Sequence, residues 1–226
     1  MTMNNRTVSM DNQVTVAPCA SSKSVCYMLM PMSLGGNMLL DLAKSYNVNI
    51  VQVVVADWDN ALTPWPAPGV MPGEADFAGG APEMLEWMRN KLLPAAEEKL
   101  GLNNIGRRVL VGISLSGLFA VWAWMQCDDF EDIASLSGSF WYDDFAHWIS
   151  SRELPAKQGR AYLSLGDEEG HTPVKRYQPV VADTATVVAA LRTTGADVFF
   201  EWVSGTHYAP IAPRLQAAFK KLFSRV

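Results

Sequence analysis

Positive charge is scarce in this chain, and so are cysteine and histidine. Lysine and arginine number 18 against 23 acidic residues, a formal net charge of -5 at pH 7. Without a basic field to neutralise phosphates, no nucleic-acid partner is expected, nor an anionic membrane surface. Long apolar runs are missing too. The most apolar block, Leu115 to Met125, has 11 residues, whereas a membrane span needs about 20. The start, Met1 to Gln13, is polar, with no apolar stretch after a basic region, so no targeting segment is expected there. The three cysteines, Cys19, Cys26 and Cys127, cannot all pair within one chain and show no metal-ligand spacing. They read as reduced thiols of a cytoplasmic protein. With three histidines besides, no metal site is expected. Neither Gly-x-x-x-x-Gly-Lys nor a Gly-x-Gly-x-x-Gly after a first strand occurs, so no nucleotide or other cofactor is expected.

What is present suits one globular domain. The chain has 226 residues, of which 49% are hydrophobic. That length buries roughly 70% of the unfolded surface and needs no covalent staples. Residues 1 to 12 read as a loose N-terminal arm and 13 to 226 as a single domain. Strands are expected at Ser24 to Met30, Val48 to Ala56, Arg108 to Gly112, Ile133 to Ser137, Arg160 to Leu165 and Asp197 to Val203. Helices are expected at Asn37 to Tyr46, Ala81 to Leu100, Leu115 to Cys127, Phe140 to Ser150, Val174 to Thr194 and Pro210 to Phe223. Pro94 should bend the second of these, with Gly101 ending it. Alternation of this kind means a mostly parallel sheet with helices on both faces. Reactive groups then gather in loops at the carboxyl ends of the strands.

Chemistry concentrates at three such loops. Gly112-Ile-Ser114-Leu-Ser-Gly117 joins an apolar strand to an apolar helix and has the setting of a nucleophile elbow. The spacing departs from Gly-x-Ser-x-Gly, because Ser116 stands where the second glycine belongs. Ser116 itself is a poor rival nucleophile, flanked at two residues by Ser114 and Leu118. The competing reading is a tight turn with a serine cap. His207, in the loop between the last strand and the last helix, is the expected base; His147 sits in a helix pattern, and His171 is the fallback. Asp167, Glu168 and Glu169 follow the strand between serine and histidine and are candidate acids, not separable by spacing. Leu115 supplies one expected oxyanion amide, and Leu34 or Ser33 the other. Trp65 and Trp58, in the irregular stretch 57 to 80, and Trp141 with Tyr142 are candidate substrate walls; simple loop packing explains them equally well.

Several ordered pieces resemble one family. They are Tyr27-Met-Leu with Leu34-Gly-Gly-Asn37, Leu62-Thr-Pro-Trp-Pro-Ala, Asp76-Phe-Ala-Gly-Gly and Gly112-Ile-Ser-Leu-Ser-Gly-Leu-Phe-Ala. Further along come Ser135-Leu-Ser-Gly-Ser-Phe-Trp-Tyr, Tyr162-Leu-Ser-Leu-Gly-Asp-Glu-Glu and Gly205-Thr-His207. Together they make the chain similar to α/β-hydrolases of the putative-esterase family, which includes esterase D, the enterochelin esterases and the mycolyl-transferase antigens. The resemblance implies a three-layer α/β-hydrolase fold without a large cap domain. It implies Ser114 as nucleophile, His207 as base and Glu169 as acid. Met32-Ser33 stand where the family often has His-Gly in its oxyanion loop. The activity implied is serine hydrolysis of a small-molecule carboxylic ester or thioester through an acyl-enzyme, with no metal or organic cofactor. Acyl transfer by the same serine, or a non-catalytic binding protein retaining the fold, are the alternatives. Homodimer formation is left open.

Overall fold

Runs of Val, Ile and Leu alternate with helix-forming stretches, and the runs assemble into one seven-stranded sheet. The computed structural model describes residues 11–224. Its strands are β1 (Gln13–Ala17), β2 (Ser24–Met30), β3 (Asn49–Val54), β4 (Arg107–Ile113), β5 (Asp132–Leu136), β6 (Arg160–Gly166) and β7 (Asp197–Val203). Their order across the sheet is β1-β3-β2-β4-β5-β6-β7. β1 runs antiparallel to β3, and the other pairings are parallel.

The two-residue period of a strand sends its side chains to opposite faces. Val25, Tyr27 and Leu29 of β2 enter one core, while Cys26, Met28 and Met30 enter the other. On the second face lie helices α1 (Gly36–Tyr46) and α8 (Ile211–Phe223), through Leu39, Leu42 and Ala43 and through Leu215, Ala218, Phe219 and Leu222. On the first lie α3 (Ala81–Trp87), α4 (Leu93–Lys99), α5 (Leu115–Gln126), α6 (Phe145–Ser150) and α7 (Val180–Arg192). The result is a three-layer α/β sandwich with no large inserted cap.

Several expectations change in detail. Residues 1 to 10 of the expected arm lie outside the described residues. Asn12 accepts a hydrogen bond from the Ala56 amide at 3.0 Å, and β1, not foreseen, starts at the next residue. The helix expected over 81 to 100 is interrupted by a π-helical turn at Met88–Leu92. Pro94 follows this turn; its ring cannot sit over a regular α-helical carbonyl four residues back, and the wider turn accommodates it. Gly101, at φ 67°, ends the helix as expected. The helix expected from Phe140 begins at Phe145, because Ser139 to Asp144 form tight turns with Asp144 in left-handed geometry. Within the irregular stretch, Trp58–Ala61 forms a short helix, α2.

Candidate active site

Ser114 lies between β4 and α5 with φ 56° and ψ −123°. That backbone costs an ordinary residue roughly 1–3 kcal/mol, so its surroundings must impose it. Two glycines allow the close approach. A Cβ on Gly112 would lie 2.0 Å from the Ser116 carbonyl oxygen, and one on Gly117 would lie 2.7 Å from Ser135 Oγ. The Ser114 carbonyl accepts from the amides of Gly117, Leu118 and Ser139. Ser116 is fully buried, and its Oγ accepts from the Ile113 amide at 2.7 Å. The same hydroxyl lies 2.8 Å from the Leu29 carbonyl at the end of β2. The residue that breaks the expected Gly-x-Ser-x-Gly spacing therefore pins the elbow to the neighbouring strand.

Because β4, β5, β6 and β7 are adjacent and parallel, the loops at their carboxyl ends meet above Ser114. His207 Nε2 is 3.0 Å from Ser114 Oγ. His207 Nδ1 is 2.9 Å from Glu169 Oε2. Glu169 is buried, and its other oxygen, Oε1, accepts from the Gly166 amide at 2.8 Å and Ser137 Oγ at 2.5 Å. Burial pushes the Glu169 pKa up. The hydrogen bonds from His207, Ser137 and Gly166 oppose that and hold it below the usual carboxylate value. Among the three candidate acids, only Glu169 meets the imidazole; Asp167 Oδ1 instead accepts from the Gly205 amide at 2.8 Å. Glu168 is exposed on the cavity wall. His147 is exposed on α6, and His171 is exposed at the cavity edge.

A cavity of about 1000 Å³ opens over Ser114 and His207. Leu115 and Trp141 line it, together with Trp58, Phe77 and Tyr177. Four expected wall or oxyanion residues do not: Trp65, Tyr142, Ser33 and Leu34, Tyr142 being buried with its hydroxyl donating to the Trp65 carbonyl. Trp65 turns inward, donates from Nε1 to the Asp143 carbonyl at 2.9 Å, and packs on Tyr142, Phe145 and Trp148. It is a strut between two loops and not a cavity wall. Ser33 and Leu34 also lie off the cavity lining: the Leu34 amide donates to Gln52 Oε1 at 2.9 Å, and Gln52 Nε2 donates to Ser33 Oγ at 3.3 Å. Among the described residues no cluster of three or more His, Cys, Asp or Glu is arranged to hold a metal ion.

Sequence reasoning missed three polar residues here. Ser139 Oγ lies 3.3 Å from Ser114 Oγ. Ser137 and Arg214 stand behind Glu169. A charged residue at the start of the otherwise apolar buried face of α8 was the available signal for Arg214, since arginine is seldom buried unpaired.

Comparisons with known proteins bear on the family and the fold. The family model described as "Putative esterase" matches residues 36–222. A curated relative, the "Uncharacterized protein YbbA" of Bacillus subtilis (strain 168), is 30% identical over 135 residues, 59% of this chain and 54% of that protein. The chain thus spans about half the length of that relative. Among solved structures, the siderophore hydrolase EstB of Aspergillus nidulans superposes with a TM-score of 0.74 at 17% identity, covering 94% of this chain and 90% of that one. The BES protein of Bacillus cereus gives 0.71 at 17% identity, covering 95% and 91%. Such distant likenesses carry the fold; the family match carries more. By fold and by that match, the chain belongs to the putative-esterase family of α/β-hydrolases, whose chemistry is of the esterase type.

Proposed function

We propose that this chain is a serine hydrolase that cleaves a small-molecule carboxylic ester or thioester through an acyl-enzyme on Ser114. The reading is carried by one observation: the continuous Ser114–His207–Glu169 hydrogen-bond chain at a cavity floor, with links of 3.0 and 2.9 Å. His207 Nε2 takes the proton as Ser114 Oγ attacks the carbonyl carbon, and Glu169 holds Nδ1–H and stabilises the imidazolium. The carbonyl electron pair moves onto oxygen, where the Leu115 amide at the start of α5 donates. Neither loop candidate for a second donor lines the cavity, and the Leu34 amide is committed to Gln52, so the reading rests on the Leu115 amide as donor. Collapse of the tetrahedral intermediate expels the alcohol or thiol, which takes the proton from His207. Water, deprotonated by the same imidazole, then releases the acid. Residues 13 to 226 carry this chemistry as one domain.

Intact-mass spectrometry after treatment with a fluorophosphonate tests the reading. The parent should gain one adduct. Ser114→Ala should gain none, and His207→Ala should react far more slowly. A folded parent that stays unmodified would overturn the proposal.

A further inference from the structure

Arg214 is 2% exposed, a degree of burial rare for a charged side chain, and the reaction as written gives it no role. It stands in the first turn of α8, one position before Leu215 of the apolar face. Its guanidinium reaches three separate segments. Nη1 donates to Ser137 Oγ at the tip of β5, and lies 3.4 Å from Glu169 Oε1 in the loop after β6. Nη2 donates to the Thr206 carbonyl at 2.7 Å, in the loop after β7 and next to His207 in sequence. Ser137 Oγ donates its own hydrogen bond to Glu169 Oε1.

We propose that Arg214 is the positioning residue of this site: one planar guanidinium registers the acid's carboxylate and the base's backbone to each other. The inference rests on the reading of Ser114 as nucleophile. The division of labour at Glu169 supports it. Oε1 is held by Ser137, Gly166 and Arg214, so the carboxylate cannot rotate and Oε2 is presented to His207 Nδ1. The same side chain anchors the peptide preceding the histidine. Charge balance alone would need only the contact with Glu169. The bond to the Thr206 carbonyl neutralises nothing, and it is the one that fixes the imidazole. A lysine can supply the charge but not a fork that spans both partners.

Arg214→Lys therefore separates charge from geometry. With a p-nitrophenyl acyl ester, kcat should fall on the order of 10- to 100-fold, as for a misplaced reacting group. KM should stay within about twofold, because Arg214 lies off the cavity lining. Fluorophosphonate labelling should slow in parallel, and the far-downfield NMR resonance of the imidazole Nδ1 proton should broaden or vanish. Ser137→Ala keeps the arginine and should shift the same readings less, which covers the case in which Arg214→Lys does not fold. Parental kcat and an intact Nδ1 resonance in folded Arg214→Lys, or in Ser137→Ala if the lysine variant does not fold, would overturn the proposal. An unlabelled parent is a different result: it removes the nucleophile reading, and this inference with it.

Discussion

Residue by residue, the site depends on small groups under close constraint. Gly112→Ala would place a methyl 2.0 Å from the Ser116 carbonyl oxygen, with only backbone there to yield. The elbow must open, and phosphonate labelling should be lost even in protein that remains folded by circular dichroism. Ser116→Gly restores the spacing usual in such elbows yet removes a buried hydroxyl from the Ile113 amide and the Leu29 carbonyl. Stability should drop by about 1–2 kcal/mol in urea denaturation, with labelling retained. Glu169 gives a pH signature. Its folded pKa is depressed below the ordinary value of 4.5, so its contribution is fully present above that pH and is lost as pH falls through the folded value. Urea midpoints measured from about pH 6 down to about pH 3 should fall, and Glu169→Gln should flatten that slope. That Ser114 and His207 meet was legible from sequence, because strand–turn–helix context marks the one and the loop after the last strand the other. The choice of Glu169 among three adjacent carboxylates was not legible from spacing. It depends on which one turns inward, and Ser137, Gly166 and Arg214 decide that from three distant parts of the chain.

Among the elements, strands and helices with a strong period were readable, and irregular ones were not. β7 and α1 fall within a residue of expectation because their flanks carry clear turn signals. β1 escaped because Gln13-Val-Thr-Val is short and half polar; its pairing to β3, and not its composition, makes it a strand. The stretch from 57 to 80 hid its organisation for a related reason. Its order comes from side-chain bonds of Asn60 and Thr63, a bridge between Ala67 and Phe77 and the inward Trp65, which neighbouring sequence does not announce. Trp65→Phe should keep the ring packing against Phe145 and Trp148 but lose the bond to the Asp143 carbonyl, costing about 1 kcal/mol in chemical denaturation. Trp65→Ala should cost about 3 kcal/mol or more. It should also raise KM for acyl esters, because Asp57, Val70 and Phe77 of the same stretch line the cavity.

Across the whole molecule, charge is distributed unevenly around the site. Asp57, Asp59, Glu74, Asp76 and Glu168 line the cavity, and no lysine or arginine stands among its described lining residues. Burial first, then the charges of Asp57 and Glu74, push the Asp59 pKa up. Such a field repels anionic esters. Their kcat/KM should rise with added salt, while that of a neutral ester of the same size stays level. The parallel sheet has a further consequence in time. Ser114 and His207 are 93 positions apart, and every strand up to β6 precedes Glu169. On a ribosome adding about 5–20 residues each second, the elbow is made roughly 5 to 20 s before its base. On the proposed reading the nascent chain carries an unarmed hydroxyl while those 93 residues are added, and reactivity arrives only when the loops after β6 and β7 dock.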